Sequence, residues 1–129
     1  MPLDPQVQAL RFQRKREKVP PLYTLSVEQA RQADLASIRT GAGTPESVAQ
    51  VINRPIPGPA GDIPLRLYQP EGEGSFPMLI YFFGGRWTLG TLDTSDGICG
   101  SLCNAVPCLV ISVGYRLAPE HKFPAAPAS

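Results

Sequence analysis

At 129 residues, with 43% hydrophobic and 18% charged residues, the chain is long enough for one packed domain and too short to expect two. A formal net charge of +1 supplies no global field to draw it to nucleic acid or to an anionic membrane surface. No apolar run approaches the ~20 residues that cross a bilayer, and the polar, soon basic start lacks the apolar core of a secretory signal, so cytoplasmic residence away from membranes is expected.

In chain order, Leu3, Val7 and Leu10 recur at helical spacing and lead into Arg11, Arg14, Lys15, Arg16 and Lys18. This predicts a short amphipathic helix over 3–18 with a basic end. No interleaved aromatic platform accompanies the cations and the rest of the chain carries more acid than base, so they read as a solvated helix end. After Pro20 and Pro21, Ser26 stands three residues before Gln29, the pattern of a capping box, and a second helix is expected from about 27 to 38.

The run TGAGTP at 40–45 ends the helical pattern. Beyond it, residues 48–53 and 63–68 read as strands, the second with Ile63, Leu65 and Leu67 alternating against Pro64, Arg66 and Tyr68. The Pro- and Gly-rich stretch 55–62 predicts a wide hairpin connection, and 70–75 another exposed loop. Residues 78–83 are apolar without interruption, which predicts a strand covered on both faces. Gly84 and Gly85 follow it, where the backbone can bend and approach a ligand closely.

Asp93, Thr94 and Ser95 offer helix-capping oxygens, with Ile98, Cys99, Leu102, Cys103 and Val106 as an apolar stripe behind them. Gly97 and Gly100 each weaken that helix by ~1 kcal/mol relative to alanine. Residues 109–113 form a further apolar strand, so strand, helix and strand follow in the order of a right-handed parallel crossover. Cys99, Cys103 and Cys108 are poor material for a disulfide framework, and no histidine or fourth cysteine nearby completes a zinc site. Reduced, buried thiols and no metal or cofactor are expected.

Several separated segments share one pattern: MLIYFFGGRWTLG at 78–90, LDT at 92–94, YRLAPEH at 115–121, FPAA at 123–126 and IPGPAGDIPLRLY at 56–68. On these residues the chain resembles the N-terminal part of the hormone-sensitive-lipase-like esterases, an α/β-hydrolase family. The resemblance implies an α/β fold: an incomplete α/β-hydrolase core, with its first four strands and first core helix, preceded by a helical cap segment. It divides the chain into a cap segment at 1–47 and a core portion at 48–129. The family cleaves carboxylic esters through a Ser-Asp/Glu-His triad, so the implied ancestral substrate is a small-molecule ester. The backbone N–H groups of Gly84, Gly85 and Arg86 are the implied oxyanion-hole donors.

The sequence departs from that pattern where the chemistry is done. Phe83 stands at the histidine of the HGGG motif, Arg86 replaces its third glycine, and Gly114 stands where relatives commonly show aspartate. A β-carbon at Arg86 penalises positive φ by ~1 kcal/mol or more. No serine lies in a GxSxG frame, since Ser75 leads to Phe76 and Ser101 to Leu102. His121, the only histidine, falls within the 115–121 motif, where a structural role is expected; Cys99 or Cys103 acting with it as a nucleophile is an unfavoured alternative.

The expectation is therefore an esterase fragment truncated before the nucleophile elbow and inactive alone. The alternatives are half of a split esterase, completed by another chain, and a non-catalytic interaction protein. In either, the 78–83 strand would offer an unpaired apolar edge for self-association or for a complementing chain.

Overall fold

A computed structural model describes all of residues 1–129. The first helix, α1 (Pro5–Arg16), begins where Asp4 Oδ1 accepts from the Gln6 N–H at 2.8 Å and ends on Arg14, Lys15 and Arg16. Cations at that end face the negative pole of the helix dipole. None of its residues is buried, and the expected apolar stripe of Leu3, Val7 and Leu10 stays exposed. The second helix, α2 (Val27–Gly41), starts at the predicted capping box, with Gln29 N donating to Ser26 Oγ at 3.2 Å and Ser26 N to Gln29 Oε1 at 3.1 Å.

Strands β1 (Gln50–Gly58) and β2 (Gly61–Gln69) pair antiparallel along their whole length, from Gln50 opposite Gln69 to Gly58 opposite Gly61. The wide connection expected over 55–62 is instead strand and a tight turn. Proline cannot donate to a ladder, but β1 lies at the sheet edge, where a missing N–H breaks no second partner's bond. Gly61 takes the turn at φ +121°.

Next come β3 (Met78–Phe82), a 3₁₀ turn (Asp93–Ser95), α3 (Asp96–Ala105) and β4 (Leu109–Val113). The sheet order is β1-β2-β4-β3; β4 runs antiparallel to β2 and parallel to β3, so the predicted strand–helix–strand unit forms. The core lies between this sheet and α3, where Tyr68, Cys99, Cys103, Cys108 and Val110 form one buried cluster. All three thiols are buried and unpaired. Ile98 and Val106, expected in the same stripe, are exposed, because the sheet takes only the face that carries Cys99 and Cys103.

The expected capping oxygens do other work. Ser95 makes no cap bond to α3, while the carboxylates of Asp93 and Asp96 accept from Arg66 Nη1 at 2.8 and 2.7 Å, and Asp96 also accepts from the Tyr68 hydroxyl. The start of α3 is thereby tied to β2. Gly100 has a packing reason: a β-carbon there would sit 3.2 Å from the Glu46 carbonyl, where the chain before β1 crosses the helix.

β3 corrects the expectation of a strand covered on both faces. Leu79 and Tyr81 pack toward the core, but Met78, Ile80 and Phe82 are 70%, 61% and 63% exposed. Ile80 lies in register with Ile111 and Leu67, and Phe82 with Val113 and Leu65, so an apolar surface crosses three strands on the open face. β3 is also an edge strand.

Candidate functional site

The loop that follows β3 rests on Phe83. Its ring is buried and stacks on Tyr115, with centroids 4.6 Å apart, and its carbonyl accepts from the Tyr115 hydroxyl. At the position of the motif's polar histidine, the loop is therefore held by an apolar stack. Gly90 closes the loop behind that ring: at φ +90°, a β-carbon on it would lie 2.6 Å from both Phe83 Cδ2 and the Gly84 carbonyl.

The two central glycines differ. Gly85 has φ +138°, and a β-carbon there would lie 2.2 Å from the Leu89 carbonyl oxygen, whereas one on Gly84 would meet nothing within 4 Å. The Gly85 carbonyl accepts from Leu89 N at 2.9 Å and Thr88 N at 3.1 Å, folding the loop into a turn. Arg86 and Trp87, inside that turn, occupy the left-handed region at φ +52° and +59°. The strain expected at Arg86 is thus adopted, and extends to its neighbour. The N–H groups of Gly84, Gly85, Arg86 and Trp87 donate to no acceptor of the chain.

A clamp from α2 holds the turn from outside. Arg31 Nε donates to the Thr88 carbonyl at 2.8 Å and Nη2 to the Ala118 carbonyl at 2.9 Å, while Nη1 and Nη2 bond both oxygens of Glu120 at 2.7 and 2.9 Å. Ala118 N in turn donates to the Trp87 carbonyl at 2.7 Å. The hydrogen bond from Arg31 holds the Glu120 carboxyl down at about 2, and raises the Arg31 pKa in return. Sequence reading gave no part to Arg31 or Glu120. Their contacts join residues 57 to 89 positions apart, and no local pattern encodes a separation of that size.

Beside the turn opens a cleft of about 610 Å³, lined by Phe82, Gly84, Gly85, Arg86, Trp87 and Tyr115, among others. It lies at the C-terminal end of a parallel strand, where α/β sheets generally hold their ligands. Gly84, Gly85 and Arg86, the residues singled out in the sequence, are together at its wall. Gly114 is packed against β2: a β-carbon there would meet Pro64 Cγ at 2.8 Å and the Pro64 carbonyl at 3.0 Å. His121 is exposed and its backbone N–H caps the Leu117 carbonyl, whereas Cys99 and Cys103 are buried beneath the sheet, so the alternative Cys/His pair is not assembled. Burial pushes the Cys99 thiol up to about 11, which disfavours the thiolate that a nucleophile needs. No group of three or more His, Cys, Asp or Glu side chains stands together as metal ligands would.

An antiparallel hairpin, a parallel β-α-β unit and a glycine loop at the end of its first strand match a partial α/β-hydrolase core. The family described as "alpha/beta hydrolase fold" matches residues 79–128. The carboxylic ester hydrolase LipN of Mycobacterium tuberculosis is 45% identical over 97 residues, spanning 75% of this chain and 26% of LipN. Among solved structures, an α/β-hydrolase enzyme from the metagenome of Lake Arreo superposes with a TM-score of 0.88 at 39% identity, over 98% of this chain and 41% of that one. The esterase of Pyrobaculum calidifontis gives 0.86 at 34% identity, over 99% and 41%. The chain has the α/β-hydrolase fold of these relatives, and it spans between a quarter and two-fifths of their length.

Proposed function

We propose that this chain supplies the oxyanion-binding portion of a carboxylic ester hydrolase, and that its 129 residues alone do not turn over ester. The observation that carries the reading is the set of four consecutive N–H groups, Gly84 to Trp87, with no acceptor of their own on a clamped turn at a cleft wall. Gly84, Gly85 and Arg86 are the donors we assign to the carbonyl oxygen of a small ester, whose developing negative charge such groups stabilise. No serine stands in a GxSxG frame, so none of these residues matches the nucleophile of the triad. In this reading residues 1–47 form a cap segment and 48–129 a core portion. The three buried, unpaired thiols favour a reducing, cytoplasmic setting.

The purified chain should hydrolyse p-nitrophenyl butyrate no faster than buffer. Hydrolysis that co-elutes with the chain and is lost in Gly85→Ala would overturn the absence of autonomous turnover. A split enzyme, completed by a second polypeptide, is favoured by the open edge at β3 and the exposed Met78, Ile80 and Phe82 beside it. Mixing with the part of the Lake Arreo relative that this chain does not match should then yield a stoichiometric complex and ester turnover. Two proteins that elute separately and remain inactive would remove that reading.

A further inference from the structure

The cleft beside the turn is lined by aromatic, aliphatic and small residues and one charged residue, Arg86. The side chains of Arg31, Arg66 and Arg116 are each tied into the fold, by hydrogen bonds to Glu120, Asp96 and the Ala125 carbonyl respectively. Arg86 has no such tie: its guanidinium makes no hydrogen bond or ion pair with the chain. It is exposed, and no Asp or Glu side chain lines the cleft. Nor does the backbone gain from the side chain, because at φ +52° a glycine would hold the same conformation without strain. An unpaired guanidinium therefore stands beside four unpaired N–H groups, with Phe82, at the end of β3, and Trp87, within the turn, both exposed.

We propose that this cleft binds an amphiphilic monocarboxylate, an aromatic or short-chain acid. Its carboxylate pairs with Arg86 and the loop N–H groups, and its apolar body lies on Phe82 and Trp87. A guanidinium presents a fork of donors matched to a carboxylate and bonds it more strongly than a neutral amide or ester. The site thus selects for charge as well as for an apolar body, and takes either a free acid or an ester whose acyl or alcohol portion carries a carboxylate. The inference rests on the donor-loop reading above.

Titration with phenylbutyrate and with neutral phenylbutyramide, followed through the fluorescence of Trp87, the only tryptophan, tests it. The acid should bind the chain at least about tenfold more tightly than the amide, as charge-assisted hydrogen bonds add to neutral ones. Arg86→Gln should abolish the preference without altering the fold, since glutamine bears the same φ cost. Arg86→Gly should also abolish it while raising the melting temperature, a divergence that a purely structural role for Arg86 does not produce. Equal binding of acid and amide, or a preference retained in Arg86→Gln, overturns the inference and leaves the donor loop standing. Binding of neither ligand overturns both.

Discussion

Alanine at Gly84 and alanine at Gly85 are the same chemical change at adjacent positions, and the structure assigns them different outcomes. At Gly85, φ +138° places alanine in a region that L-residues rarely adopt, at a cost of ~1–3 kcal/mol. The new methyl would also lie 2.2 Å from the Leu89 carbonyl oxygen and 2.5 Å from its carbon, distances that only a movement of Leu89 relieves. That movement parts the turn closed by Leu89 N and Thr88 N on the Gly85 carbonyl, two bonds contributing roughly 1 kcal/mol each. The total is about 3–5 kcal/mol, a large share of the ~5–15 kcal/mol that stabilises an ordinary domain. Gly84 has no positive φ and no atom within 4 Å of the added methyl, so alanine there should be within about 0.5 kcal/mol of neutral. Urea unfolding followed by Trp87 fluorescence and by far-ultraviolet circular dichroism measures both variants, and Trp87 reports from inside the turn itself. Equal destabilisation by the two variants, or a Gly85→Ala protein as stable as the parent, would falsify this account of the loop.

Glu120 is held at about 2, below its ordinary 4.5, so the Arg31 clamp contributes in full above about pH 4.5 and is lost as pH falls toward 2. Amide exchange at Thr88 and Leu89 should accelerate through that window, and Arg31→Ala should flatten the dependence; a pH response unchanged by Arg31→Ala would mean another group governs the turn. Gly114→Asp should lose ~1–3 kcal/mol by overpacking against Pro64, with part of the loss recovered in Gly114→Asp/Pro64→Ala. Purely additive unfolding energies for that pair would show that the contact does not couple them. Burial raises Cys99 from 9.0 to about 11, so stability from this group is complete below about pH 9 and declines as pH rises toward 11, because the unfolded thiol ionises first. At pH 8, Ellman's reagent should react with the three thiols only as urea unfolds the chain; fast labelling in native buffer would contradict their burial.

What the sequence discloses here is what lies within a few residues or follows a period. The Ser26–Gln29 capping box is a local reciprocity, and it forms as read. The strand–helix–strand order over 78–113 depends on apolar runs and a helical stripe, and it forms in parallel. The hairpin was misjudged because turn-forming residues also suit an edge strand, whose outward N–H groups need no partner, and Pro55 and Pro57 lie on that edge in β1. The open face of β3 was illegible for a different reason. An apolar run records what a strand is suited to pack against, not what covers it, and Ile80 and Phe82 are exposed here despite a sequence fit for burial. At the site, Gly84, Gly85 and Arg86 were found by motif, but their inequality was not, since only the position of the Leu89 carbonyl separates one glycine from the other.

Strain and restraint in the turn come close to balance. Arg86 and Trp87 at positive φ cost ~1–2 kcal/mol each, or about 2–4 together. Four hydrogen bonds hold the segment: Leu89 N and Thr88 N to Gly85, Ala118 N to Trp87, and Arg31 Nε to Thr88. At roughly 1 kcal/mol each they contribute about 4. The turn therefore keeps its shape because of what surrounds it, with α2 and the 115–121 segment supplying half the restraint, and not because its own residues prefer that backbone. This explains how two letters of the glycine motif can differ while the N–H groups of Gly84 to Trp87 remain unpaired at the cleft wall. The Phe83 stack on Tyr115 seats the turn from below, the clamp fixes it from the side, and the residue at 86 is then free in identity as long as those restraints exceed its backbone cost. A loop built this way can exchange a glycine for an arginine, and so acquire a charge at its cleft, without surrendering the geometry on which the proposed oxyanion contact depends.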